Sequence, residues 1–98
     1  MSASASSKDS YSVILPVFNE EETIPVLHKR LHAVFKDFTE PYELLFINDG
    51  SNDGSARLLS ELHKKDKRVK LINFSRNFGH QMAVTAGLQY ASGSIMII

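Results

Sequence analysis

Apolar and polar positions along the 98-residue chain alternate between two periods. Tyr11-Ser-Val-Ile-Leu15 is a short apolar run closed by Pro16, the pattern of a buried strand meeting a turn. Ile24, Leu27, Leu31, Val34, Phe35 and Phe38 then recur at helical spacing. The start of that helix has two readings. Asn19 with Glu22 resembles a capping box, whereas Thr23 as the cap places Pro25 in the first turn. Either start sets Glu20, Glu21 and Glu22 near the positive end of the helix dipole. Tyr42-Glu-Leu-Leu-Phe-Ile47 reads as a second strand and Asn48-Asp-Gly-Ser-Asn-Asp-Gly54 as a loop. Leu58, Leu59 and Leu62 mark the inner face of a second helix, which closes on Lys64, Lys65, Lys67 and Arg68. Those cations suit the negative end of its dipole and read as a solvated helix end. Val69-Lys-Leu-Ile-Asn73 is a third strand, and Phe74 to Gly79 leads into a third helix. That helix carries Ala83, Ala86, Gly87, Tyr90 and Ala91 on adjoining faces, mostly small residues that let it lie close to a sheet. Ser92-Gly93 ends it, and Ser94-Ile-Met-Ile-Ile98 reads as a buried terminal strand.

Strand and helix alternate three times before the last strand, which predicts an α/β fold: a doubly wound, mainly parallel sheet, β-α-β-α-β-α-β. Crossovers between parallel strands are right-handed, and ligands of such sheets bind beyond the carboxyl ends of the strands, where strand order reverses. Candidate chemistry is therefore confined to three loops: Pro16 to Glu22, Asn48 to Ser55 and Ser75 to Gln81.

Composition changes this picture little. Eleven basic and eleven acidic residues cancel, so bulk charge gives no case for nucleic acid. The chain has no cysteine, which excludes disulfides and thiolate metal sites and fits a reducing compartment. No stretch reaches the ~20 apolar residues that span a bilayer. Residues 1–10 are rich in Ser and Ala without the apolar core of a signal peptide, and read as a disordered tail. The chain closes inside an unprotected apolar strand, which reads as truncation of a longer protein.

Each loop has a chemical and a plain structural reading. In the first, a planar base could lie against Phe18 or the Pro16-Val17 backbone while Glu20 accepts hydrogen bonds from hydroxyls; the plain reading is a capped helix start with a core aromatic. In the second, Asp49 just beyond a strand can accept a ring N–H of uracil or guanine, or simply close an Asx-turn. Gly50 lets a ligand approach the backbone, and Asp53 or Ser55 can cap the next helix. In the third, Arg76, Asn77 and Gly79 ahead of a helix N-terminus suit an anion such as a pyrophosphate, against the reading of Arg76 as an ordinary surface cation. His80 stays without a role, since the sequence places no partner beside it.

Several motifs are missing. G-x-G-x-x-G and G-x-x-x-x-G-K-[ST] do not occur, nor does any Asp-x-Asp pair. His28 and His32 are four residues apart, but without the acidic residue of H-E-x-x-H they read as a solvated helix face.

Taken together, Leu15-Pro-Val-Phe-Asn-Glu-Glu21, Phe46-Ile-Asn-Asp-Gly-Ser-Asn-Asp-Gly54 and Ser75-Arg-Asn-Phe-Gly-His-Gln81, followed by Ala86-Gly-Leu88 and Ala91-Ser-Gly93, resemble family 2 glycosyltransferases. The likeness covers Tyr11 to Ile98 and is greatest to the polyprenyl-phosphate hexose transferases of the dolichol-phosphate mannose synthase type. The resemblance implies a Rossmann-like domain of GT-A type, of which this chain is the N-terminal nucleotide-binding half. It implies inverting transfer of a hexose from a UDP- or GDP-sugar donor to a polyprenyl phosphate acceptor, on the cytoplasmic side of a membrane with which the full-length protein associates. Pro16, Phe18 and Glu20 then stand for the first nucleoside-contacting segment. Ile47, Asp49 and Ser51 stand for the second, with Asp49 reading the base, and Arg76, Asn77 and Gly79 for the third. Phe18 replaces a frequent Tyr, and Asn48 replaces a frequent Asp; the Asn-Asp-Gly-Ser form is similar to the bacterial polyprenyl-phosphate branch. The family's Mg²⁺ or Mn²⁺ site, an Asp-x-Asp, would follow the strand at Ile98. The resemblance therefore implies that the chain alone is inactive and carries no catalytic or metal residue. Two other readings remain: a non-catalytic nucleotide-binding module of the same fold, and a family 2 enzyme with a different acceptor. A sugar-phosphate nucleotidyltransferase would need a Gly-rich loop after the first strand, which Pro16-Val-Phe-Asn-Glu20 does not supply.

Overall fold

A computed structural model describes residues 9–98. Most of the N-terminal tail thus lies outside the described residues. Four parallel strands, β1 (Tyr11–Val17), β2 (Tyr42–Asn48), β3 (Val69–Asn73) and β4 (Ile95–Ile97), form one sheet in the order β3-β2-β1-β4. Helices α1 (Ile24–Phe35), α2 (Ser55–Lys65) and α3 (His80–Tyr90) connect them. The chain first steps outward from β1 to β2 and β3, then crosses back through α3 to place β4 on the other side of β1.

Both faces of β2 are covered, which is why it reads as a continuous apolar run. Strand periodicity divides it: Leu44 and Phe46 join Val13, Val17 and Val69 beneath Ile24 and Phe35 of α1 and Leu59 of α2. Leu45 and Ile47 face the other way with Ile14, against Ala83 of α3. Gly87, one turn further along α3, is buried too, and a β-carbon there would collide with Ile14 Cγ2. The small residues of α3 do permit close approach. Tyr90 does not share in it, being 66% exposed at the last helical position.

Other sequence expectations shift for identifiable reasons. Pro16 does not close β1, which continues to Val17. Tyr11 N–H donates to Pro41 and Val17 C=O accepts from Asp49, so odd-numbered residues of β1 face β2. Pro16 therefore turns its nitrogen toward β4, whose pairing with β1 ended at Val13–Ile97, and no ladder bond is lost. Helix α1 starts after Thr23 with Pro25 in its first turn, yet Thr23 makes no side-chain cap. Instead Glu20 C=O accepts the N–H groups of Thr23 and Ile24 in a preceding turn, which keeps the three glutamates out of the helix. The helix stops at Phe35; Val34, still helical, is exposed on its outer side, and Phe38 reaches the core edge from beyond the helix by packing on Tyr11 and Phe35. The terminal strand is three residues long and exposed rather than buried, because only its β1 side has a neighbour among the described residues. Ser10, placed in the tail by composition, is tied to it: Ile95 N–H donates to Ser10 C=O and Ser10 N–H to Ser94 Oγ.

Candidate nucleotide site at the strand-order reversal

Strand order reverses at β1, and the three loops flagged by sequence meet beyond its carboxyl end. Pro16, Val17, Phe18 and Glu20 from the first loop, Asp49 from the second, and Asn77, Gly79 and His80 from the third line a hollow of about 350 Å³. That lies in the range of small-molecule clefts. A wider, open hollow of about 910 Å³ adjoins it along α3 and shares Gly79 and His80. The smaller one is where the functional loops converge.

The second loop is the hub. Ser51 Oγ accepts the N–H of Asn19 at 2.9 Å, and Asn19 Oδ1 accepts the N–H of Asn52 at 2.9 Å. Asn19 adopts a left-handed backbone (φ 52°), which asparagine tolerates better than most residues. Ser55 Oγ accepts the Glu20 N–H at 2.9 Å, and Asp53 accepts the N–H groups of Glu21 and of Ser55. Asp53 thus serves the start of α2, where Gly54 occupies the cap position and has no side chain to offer. Burial would raise the Asp53 carboxyl, but the hydrogen bonds from Ser55 and Glu21 bring it below its ordinary value.

Asp49 binds the third loop to this hub. It is only 4% exposed. One carboxylate oxygen accepts the Phe78 N–H at 2.7 Å; the other accepts the Gly79 N–H at 3.0 Å and Asn77 Nδ2 at 3.1 Å. The N–H groups ahead of α3, which sequence offered to an external anion, are therefore held by an internal one. Gly50 (φ 71°) completes the joint, since a β-carbon there would strike the backbone of Arg76 and Asn77.

Most of the expected residues come together. Phe18 is 43% exposed, free to present a face to a planar ring, and Glu20 is exposed at the rim. Arg76 does not line the hollow: it stays exposed in the third loop with its guanidinium 4.8 Å from the Phe78 ring centre. Ile47 is not brought to the hollow: its side chain is fully buried in the α3-facing core. Ser51 knits loop to loop rather than lining the hollow. His80, left without a role by sequence, does line it; its place as the first helical residue after Gly79 was the available signal.

Residues 12–98 match the family model described as glycosyl transferase family 2. The chain belongs to that family. It is 51% identical over 88 residues to an uncharacterized glycosyltransferase of Bacillus subtilis, YkcC, covering 90% of this chain and 27% of that protein. It is 41% identical over 87 residues to the undecaprenyl-phosphate 4-deoxy-4-formamido-L-arabinose transferase of Pectobacterium atrosepticum, covering 88% of this chain and 27% of the relative. The mannosyltransferase PcManGT of Pyrobaculum calidifontis, solved with GDP-Man and Mn²⁺, superposes with a TM-score of 0.70 at 20% identity, over 91% of this chain and 26% of that one. At that identity the likeness is one of fold, here the GT-A type. The chain spans about a quarter of the length of these relatives.

The residues present do not fit the divalent metal that the family implies. Among the described residues no group of three His, Cys, Asp or Glu side chains could hold a metal ion, and the Asp49 carboxylate is committed to the third loop. No helix among them is long and apolar enough to cross a membrane.

Proposed function

We propose that this chain is the nucleotide-binding part of an inverting hexosyltransferase that moves a sugar from a nucleoside diphosphate to a polyprenyl phosphate at a membrane. The observation that supports it most is the meeting of three loops around one hollow at the strand-order reversal, within a family 2 chain. Phe18 offers a stacking face, Glu20 an acceptor for hydroxyls, and Asp49 the one lone-pair direction left on the oxygen bonded to Phe78. Arg76, within the third loop, supplies a permanent positive charge for a diphosphate. Support for the lipid acceptor comes from relatives such as the undecaprenyl-phosphate transferase. In the transfer, a phosphate oxygen of the acceptor bonds to the anomeric carbon as the bond to the nucleoside diphosphate breaks, inverting that carbon. Residues outside this segment would hold Mg²⁺ or Mn²⁺ against the leaving diphosphate, as the Mn²⁺-bound structural neighbour supports.

Calorimetric titration of the full-length protein with UDP and with GDP, in Mg²⁺, tests this. One of the two is expected to bind, and Glu20→Ala to weaken it about tenfold, the loss of a charged hydrogen bond. Failure of a folded protein to bind either nucleotide would rule out the reading.

A further inference from the structure

We propose that Asp49 is a positioning residue: together with Gly50 it latches the third loop and so sets where the Arg76 cation stands. This rests on the nucleotide-site reading above only for its consequence, not for the latch itself. Three donors from consecutive residues, Asn77, Phe78 and Gly79, converge on one carboxylate that is almost wholly buried. Asn77 Nδ2 also donates to the Asp49 carbonyl at 3.1 Å, so side chain and backbone of one residue hold the loop from two directions. Gly50 adds shape to charge, because its bare α-carbon lets the Arg76–Asn77 peptide pack directly on the second loop. Phe78 lies edge-on to Phe74, ring centres 5.6 Å apart, and carries the Arg76 guanidinium on its face. Moving the Phe78 N–H off Asp49 would therefore move the ring on which Arg76 rests.

A residue that only read the base would leave its acceptor oxygens facing the hollow. Here both oxygens are engaged internally, and a single lone-pair direction on one of them is left for a ligand. Asp49 thus acts on a bound diphosphate mainly through Arg76.

The test begins with amide hydrogen exchange in the ligand-free, full-length protein. Asp49→Ala is expected to speed exchange at Phe78 and Gly79 by roughly 10- to 100-fold, the factor that charged hydrogen bonds contribute. Asp49→Asn, keeping one acceptor oxygen, should fall between. The amides of Leu44 to Ile47 should be unchanged, reporting an intact sheet. Unchanged exchange at Phe78 and Gly79 overturns the latch. If Asp49→Ala does not fold, Asp49→Asn carries the same readout. Titrations with uridine, guanosine, UDP and GDP then address the consequence. Positioning predicts that Asp49→Ala weakens the diphosphate about tenfold more than the nucleoside, and that this excess all but vanishes in an Arg76→Ala background. Equal losses for nucleoside and diphosphate, additive with Arg76→Ala, overturn positioning in favour of base contact. A wild-type protein that binds no nucleotide overturns the site reading and its consequence, while the exchange data still decide the latch.

Discussion

At Glu43 a carboxylate lies at the end of the sheet opposite the three loops and gathers three hydrogen bonds on one oxygen. Ser12 Oγ donates at 2.6 Å, Ser92 N–H at 2.8 Å and Ser92 Oγ at 3.0 Å, while the buried Ser12 hydroxyl accepts the Gly93 N–H. Burial alone would raise this carboxyl; the hydrogen bonds from Ser12 and Ser92 and the charge of Lys70 bring it below its ordinary value. The folded protein therefore binds fewer protons than the unfolded chain near pH 4, and stability rises with pH there. The contribution is complete above the ordinary carboxyl range and is lost as pH falls through the lowered value. Glu43→Gln is expected to cost roughly 1 kcal/mol at neutral pH, below the figure for a buried charged bond because the group is partly exposed. It should also flatten the fall of stability below about pH 4.5. Denaturant melts of both forms across pH 3 to 7 check this; parallel curves would show that Glu43 does not titrate differently on folding. Neither this carboxylate nor the latch was legible in the sequence. Glu43 sits where a strand alternates, and its partners lie 31 and 49 positions away. Asp49 stood out by its place after a strand, but donors 28 to 30 residues on carry no local signal.

Elements were read well where one period dominated and less well at their ends. The leucines of α2 and the alternating core of β2 fall where the pattern put them. In α1 the same pattern over-ran, since Val34 continues the apolar spacing yet faces solvent. Phe35 instead enters an aromatic group, its ring 4.6 Å from Tyr42, 4.7 Å from Phe38 and 6.0 Å from Tyr11. Phe35→Ala is expected to cost about 3–5 kcal/mol, and Val34→Ala to stay within about 0.5 kcal/mol of zero. Equal effects in thermal unfolding would contradict the burial of Phe35 beside an exposed Val34. Gly87 sets two element-level forces against each other. Alanine is better than glycine in a helix by about 1 kcal/mol. Against that, the added methyl meets Ile14 Cγ2, a β-branched methyl with little freedom to turn aside. Overpacking of about 1–3 kcal/mol should win, so Gly87→Ala is expected to destabilise, and to do so by less when it is made in an Ile14→Ala background. A stabilised Gly87→Ala would mean that α3 lifts off the sheet at little cost.

For the molecule as a whole, alternation of strand and helix was enough to read a parallel sheet and to direct attention to the loops beyond its carboxyl ends. It could not say that β4 would pair beside β1, because three apolar residues carry no information about their neighbour. That placement matters, since it makes β1 the reversal point and brings Pro16 and Phe18 opposite the third loop. It also leaves protection unevenly spread. β2 pairs along its length with β1 and over five positions with β3, whereas β4 pairs with β1 over three positions only. Exchange at edge residues follows local opening rather than global unfolding. In the 98-residue chain, the amides of Leu45 to Ile47 are expected to exchange at least about 100-fold more slowly than those of Ile95 to Ile97, a gap set by the few bonds that hold the edge. Protection at Ile95 to Ile97 that matched β2 and grew with protein concentration would instead show a second copy paired along this edge, the hazard of any uncovered strand.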